Sequence, residues 1–371
     1  MIRLHSDINV HMTYNRYNED FSRFDPRDID IVVKQFSLYQ IIRRLEQNEI
    51  MLDNYFQRRN DLWDTVKQSR FIESILIRIP LPSFYFAEVG GNNHDSIWQV
   101  IDGLQRISTL RNFFVEKTLT LNGLEFLPEY NGYSINSMPV ELIRRIEDSY
   151  ITAHIIGTNT PDQIKYIIFD RINTGGLKLS SQEMRHALYQ GVAVDFLQRL
   201  VDKEMFKQAT DFSISPRRML DQEYVNRFVA FYLNLDSYDG HMEAFLNQAL
   251  EDLKATDENK RFQIEDGFDK AMHFSFHVFR ENAFRKNVNM INKRPAINKA
   301  LFECVAVNFA KANPITLERI RLQRHRFLDQ FRVLLNETMF YESITSGTSK
   351  RDKVIYRFRK IDELISYFNN D

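Results

Sequence analysis

The sequence predicts an α+β protein: a small mixed sheet with helices over residues 1–191, followed by an all-α helical domain over residues 192–371. Three observations carry this reading. Alternating apolar residues and hairpin-type turns are confined to the first part of the chain. From Val192 onward every long segment repeats its apolar residues at helical spacing. The composition, 30 Phe and 16 Tyr against 12 Gly and 9 Pro, fits a helix-rich globular chain rather than a sandwich or a low-complexity one. With 371 residues and 43% hydrophobic content, there is enough apolar material for two packed cores.

Taken in order, Ile8, Val10, Met12 and Tyr14 alternate with polar residues, as do Ile29, Ile31 and Val33, so short strands are expected at both places. Ser37 is a good cap for a helix over Leu38–Asn48, with Leu38, Ile41, Ile42 and Leu45 as its apolar stripe. Tyr55–Trp63 mixes aromatic and cationic residues and reads as a loop. Its Arg58 and Arg59 suit bidentate contact with phosphate or carboxylate, and its Gln57 suits orienting water or reading a base. Lys67–Ile77 reads as a helix with Phe71, Ile72, Ile75 and Leu76 inward and Glu73 on the opposite side, stopped by Pro80 and Pro82.

Ser83–Val89 and Ser96–Ile101 read as hairpin strands joined through Gly90-Gly91-Asn92-Asn93. A helix is expected over Leu104–Lys117, a short strand around Leu119, Leu121 and Leu124, a helix over Pro139–Asp148 and a strand over Tyr150–Ile156. A lone His154 on that last strand is read as structural. Thr160-Pro161-Asp162-Gln163 starts a helix that runs to Ile172, and Asn173-Thr174-Gly175-Gly176 after it has the make-up of an anion nest. Ser180 and Glu183 have capping-box spacing at the start of a helix closed by Gly191. The helical part is read as Val194–Phe206, Pro216–Asn234, Met242–Lys254, Phe262–Phe284, Pro295–Ala312, Leu317–Phe340 and Ser349–Phe368.

The single Cys304, in an apolar helical run, excludes an internal disulfide and any cysteine-cluster zinc site. With no apolar run of membrane-spanning length and no signal-peptide core at Met1–Asp7, a cytoplasmic protein without membrane partners is expected. A net charge of −1 argues against wholesale coating of nucleic acid. Charge is nevertheless uneven: Thr316–Lys360 holds eleven basic residues against five acidic ones, a local excess suited to phosphate contacts.

The chemistry concentrates in Trp98–Leu110, where a strand pattern passes into a helical one across Asp102-Gly103. Gly103 supplies the positive φ or close approach that a sharp turn needs. Leu104, Ile107, Leu110 and Phe114 form the apolar stripe, which leaves Gln105, Arg106 and Thr109 off it and free to face a ligand. A helix start with Arg106 in its first turn favours an anion such as phosphate. Asp102 is suited to hold a divalent cation, to orient water or to pair with Arg106, and spacing does not choose among these.

Four motifs occur in a set order: Phe56-Gln57-Arg58 with Trp63; Ser69–Leu76 leading to Ile79-Pro80-Leu81-Pro82; Ile101-Asp102-Gly103-Leu104-Gln105-Arg106; and Phe169–Gly175 with Leu179, Glu183 and Arg185. Together they resemble the N-terminal domain family of GmrSD-type restriction endonucleases, related in fold to ParB and sulfiredoxin proteins. Arg294–Glu303 and Ser346-Gly347-Thr348 also resemble stretches of short, stand-alone members.

The resemblance implies a nucleotide-binding, NTP-hydrolysing module of a bacterial defence or nucleic-acid-linked system, its effector nuclease absent or on another chain. Arg58, Gln105 and Arg106, with the Gly103 turn, would hold the phosphates of a nucleoside triphosphate, and Gln57, Thr109, Arg171, Asn173, Thr174 and Gly175 would complete the site. Asp102, Gln105 and Arg106 would carry the chemistry, with Asp102 holding Mg²⁺ or orienting water; Mg²⁺ is expected because phosphoryl transfer needs charge neutralised across the bridging oxygens. Leu104 stands where the family usually has a second Gln. A non-enzymatic ParB-like DNA-binding or adaptor protein, using the basic C-terminal region, is the alternative. A self-sufficient nuclease is disfavoured because no His-Asn-His constellation follows Gly191; His273 and His277 have metal-binding spacing but are expected to pack in an aromatic core.

Overall fold

A computed structural model describes residues 29–52, 63–89, 97–172, 180–286 and 295–369. The strand expected at Ile8–Tyr14 and the turn at Gly90–Asn93 lie outside them. The chain divides into two compact units, one ending at Lys165 and the other beginning at Tyr166. The sequence reading places its change of character near Gly191.

In the first unit the elements are β1 (Ile31–Ser37), α1 (Leu38–Glu46), β2 (Ile50–Met51), α2 (Thr65–Leu76), β3 (Phe84–Val89), β4 (Ile97–Asp102), α3 (Leu104–Leu110), α4 (Val140–Glu147) and β5 (Tyr150–Ile156). The strands form one mixed sheet of order β1-β5-β3-β4-β2. β1 is antiparallel to β5 and β3 to β4, whereas β3 runs parallel to β5 and β2 to β4. Alternation along the strands puts Phe84, Phe86, Ile151, Ala153 and Ile155 into one core with the apolar stripes of the helices. Trp98 is held in that core by the rings of Phe36 and Phe86, at 5.1 and 5.2 Å between centroids.

Side-chain caps start the first two helices. Ser37 and Gln40 form a full capping box at α1, and the Asp64 carboxylate accepts from Lys67 N at 2.8 Å at the start of α2. α3 is shorter than expected, passing at Arg111 into a π-helical turn that ends at Val115. Leu119, Leu121 and Leu124 are buried as expected but form no strand; their backbone makes only local bonds, such as Leu121 N to Tyr133 O at 2.8 Å.

Glu73 departs most from expectation. Instead of facing solvent it is 2% exposed, and its carboxylate accepts from the backbone N–H groups of Glu125, Phe126 and Leu127 at 3.1, 2.7 and 2.8 Å. A loop that cannot satisfy its own amides in a sheet takes them to one buried anion.

The second unit holds most of α5 (Asp162–Ile172), then α6 (Ser181–Leu188), α7 (Val192–Asp202), α8 (Glu204–Ala209), α9 (Leu220–Asn234), α10 (Met242–Ala255), α11 (Glu258–Phe279), α12 (Lys299–Lys311), α13 (Pro314–Leu322), α14 (Arg324–Asn336), α15 (Thr338–Thr345) and α16 (Arg351–Ser366). The expected long helix Leu317–Phe340 is broken into three, since the chain turns at Gln323 and again at Glu337. Inside this unit the fully buried Glu303 and Arg357 pair. Glu303 also accepts from Arg227 at 3.1 Å, and Arg357 donates to Thr348 O at 2.8 Å.

Two outcomes follow from these burials. Glu73→Gln keeps the shape but replaces the carboxylate that three amides share, and is expected to lower the stability measured by urea unfolding by about 1.5–3 kcal/mol. The Cys304 thiol is pushed up to about 12 by burial. Native protein should therefore resist alkylation at pH 8, where the free thiolate would react, with labelling appearing only on unfolding or as pH nears that value.

Candidate functional site

Asp102 ends β4 and Gly103 caps α3, so the whole central motif occupies a single turn. Gly103 has φ +97°, and a Cβ there would lie 2.6 Å from Phe84 Cδ1. Only glycine meets both demands.

The Arg106 side chain folds back beneath this turn. Its Nη1 donates to Pro82 O, and its Nη2 donates to Ser83 O and Asp102 Oδ2, both at 3.1 Å. The guanidinium also lies over the Phe84 ring, 4.1 Å from its centroid. Arg106 is only 9% exposed. Burial pushes its pKa below the ordinary arginine value, against the pull of Asp102. Sequence spacing places Arg106 off the apolar stripe and facing a ligand, but both terminal nitrogens are engaged by the protein. The signal missed was the pair of carbonyls at Pro82 and Ser83, which leave no mark in side-chain patterns.

Gln105 Oε1 accepts from Trp63 N at 2.8 Å, and Trp63 O in turn accepts from Gln68 at 2.7 Å. Thr109 is fully buried and donates to Gln105 O at 2.8 Å, so it faces the protein interior. Asp102 is the outward member of the group, with its side chain 36% exposed against 11% for Arg106. A groove of about 340 Å³ opens at the same end of the sheet, with Arg78, Pro80, Leu81, Arg145 and Tyr150 in its walls. The segment before β3 thus serves both as groove wall and, through Pro82, as an anchor for Arg106.

Arg171 is exposed on the last turn of α5, in the second unit. Gln57, Arg58, Asn173, Thr174 and Gly175 lie outside the described residues. Glu183 completes a capping box with Ser180 and pairs with Arg218 Nε at 3.0 Å. Arg185 is fully buried, bonded to Asn247 at 2.8 Å and to Glu243, whose carboxylate also accepts from Tyr166 at 2.9 Å. This motif pair therefore holds helices together within the second unit.

The basic stretch Thr316–Lys360 is largely engaged internally. Arg357 is the buried partner of Glu303, Arg324 donates to Val278 O at 2.6 Å and Arg351 to Tyr238 O at 2.9 Å. Arg321, Arg332 and Lys360 pair with Glu318, Asp329 and Glu363. His273 is exposed and His277 half-buried on α11, rather than packed in the core, and their rings lie 4.1 Å apart. No group of three His, Cys, Asp or Glu able to hold a metal occurs among the described residues. No helix among them is long and apolar enough to cross a membrane.

Gly103→Ala should cost about 2–4 kcal/mol, from a strained φ together with overpacking against Phe84. Arg106→Ala and Asp102→Ala should each lower the melting temperature, the former more. A double-mutant cycle in urea should give a coupling of about 1–2 kcal/mol. Additive effects would mean that the pair is not a unit.

No curated protein and no solved structure matches the chain. Residues 38–190 match the model described as GmrSD restriction endonuclease, N-terminal domain, so this part of the chain is similar to that domain.

Proposed function

We propose that the chain is a nucleotide-binding component of a restriction-type defence system, and that Asp102 carries the Mg²⁺ of a bound nucleoside triphosphate. The family supports the restriction role. The geometry of Asp102 supports the rest: Arg106 holds its Oδ2, while its Oδ1 has no protein partner among the described residues and the side chain is partly open to solvent.

The donor set fits magnesium in one way. Mg²⁺ is commonly held through one or two carboxylates, with waters and substrate phosphates filling the remaining positions. A single fixed carboxylate thus suits an ion that arrives with its nucleotide rather than one caged by protein. In this reading Arg106 is a positioning residue that aims Asp102. Gln105, held by Trp63 N, orients phosphate or water. The phosphates themselves fall to Gln57 and Arg58, the candidates within the same unit as Asp102. Held by Asp102, Mg²⁺ would supply the charge neutralisation that phosphoryl transfer needs.

Thermal unfolding of the full chain with millimolar Mg²⁺ and each common NTP tests this. Binding at about a hundred times Kd stabilises by about 2.7 kcal/mol, a shift of a few degrees. Asp102→Asn should remove the magnesium-dependent part of that shift. A wild-type melting temperature indifferent to all four nucleotides, or an Asp102→Asn variant that responds like wild type, would sink the proposal.

A further inference from the structure

One row of the sheet leads across four strands to Asp102. Val33 of β1 is paired in register with His154 of β5, His154 with Tyr85 of β3, and Tyr85 with Asp102 of β4. Directly opposed residues on neighbouring strands project to the same face. The last of these pairings depends on an irregularity. Phe86 opposes Val100, so an unbroken antiparallel ladder would set Tyr85 against Ile101; the register shift between Tyr85 and Phe86 sets it against Asp102 instead.

The Tyr85 and His154 rings are stacked, 4.5 Å between centroids and 12° between planes. That spacing is close to the ~4.8 Å between neighbouring strands, so the rings stand on edge on the sheet and face along the row. Both are half-buried, and neither the Tyr85 hydroxyl nor the His154 imidazole is hydrogen-bonded within the protein among the described residues. The next position in the row is Asp102, which has no ring. Tyr85 is therefore the end of a two-ring stack, at the position paired in register with the residue assigned to magnesium.

We propose that the Tyr85–His154 pair is the base-stacking ledge of the site: the purine or pyrimidine ring of a mononucleotide adds as the third ring, against Tyr85, with its phosphates at Asp102. This deepens the nucleotide reading and rests on it. A mononucleotide is favoured over a nucleic-acid strand because the stack is two rings long and runs into the carboxylate, rather than along a cationic groove that would track a backbone.

Equilibrium binding to the full chain, in Mg²⁺, of each NTP and of inorganic tripolyphosphate separates the ledge from the phosphate contacts. Wild type should bind at least one NTP more tightly than tripolyphosphate. Tyr85→Leu and His154→Leu should each weaken that NTP by about tenfold and leave tripolyphosphate unchanged, while Tyr85→Phe, which keeps the ring, should retain affinity. In wild type, adding the NTP should shift the ring-proton resonances of Tyr85 through the new ring current, whereas tripolyphosphate should not; this readout needs no variant to fold. Equal losses for both ligands, unaltered NTP affinity in both leucine variants, or a silent Tyr85 overturns the ledge while the nucleotide reading stands. Absence of NTP binding to wild type overturns both. Tighter binding of a short single-stranded oligonucleotide, lost in the same variants, overturns the mononucleotide assignment.

Discussion

The first unit's candidate site depends on a single guanidinium. Arg106 ties the last residue of β4 to the two carbonyls that precede β3, and it does so from the first turn of the helix that follows. A buried charge costs free energy unless it is paired and hydrogen-bonded, so these partners must converge for Arg106 to be tolerated where it is. The same requirement explains Gly103. Any Cβ there would push against Phe84, the ring on which the guanidinium rests. Asp102 consequently gains a fixed position with one oxygen turned outward, at the cost of a turn that no other residue type can make.

The helical unit uses ions differently. Glu303 and Arg357 are both fully exposed to protein and not to water, and Arg227, Glu223 and Lys299 extend the chain of charges outward. Burial raises the Glu223 carboxyl, but Arg227 and Lys299 outweigh it and hold it below the ordinary range. Such a network is weak evidence for stability and better evidence for a fixed arrangement. Two stretches of the C-terminal part meet here: Asn298 caps α12 and donates to Ile344 O at 2.8 Å, and Arg357 donates to Thr348 O. These contacts lock α12, α15 and α16 around one buried acid.

What was legible in the sequence was whatever periodicity and capping encode locally. The hairpin strands, α1 with its Ser37 box, the start of α6 at Ser180 and the burial of Cys304 all follow from neighbours within a few residues. What escaped was non-local. Glu73 looks solvent-facing on a helical wheel because the amides it serves arrive from more than fifty residues away. Thr109 and Arg106 look free for the same reason: their burial is set by segments before β3 and by helix packing, not by the stripe of their own helix. The break of Leu317–Phe340 into three helices shows the converse, since apolar spacing continues across turns that tertiary packing imposes.

The register shift at Tyr85 joins the Asp102 turn to the Tyr85–His154 stack. A ladder without it would put the side chain of Ile101 beside Tyr85 and carry Asp102 past the row. Ile101 is 6% exposed and apolar, suited to packing and to nothing else. One extra residue in β4 therefore decides whether an apolar or an anionic group stands at the end of the Tyr85–His154 stack. Irregular pairings of this kind re-aim side chains where a sheet stops being scaffold and becomes surface. Here the irregularity, the glycine turn and the Arg106 anchor fall within five residues of β4 and α3, which is why the Asp-Gly-x-Gln-Arg stretch reads as a unit in the sequence although its partners lie elsewhere.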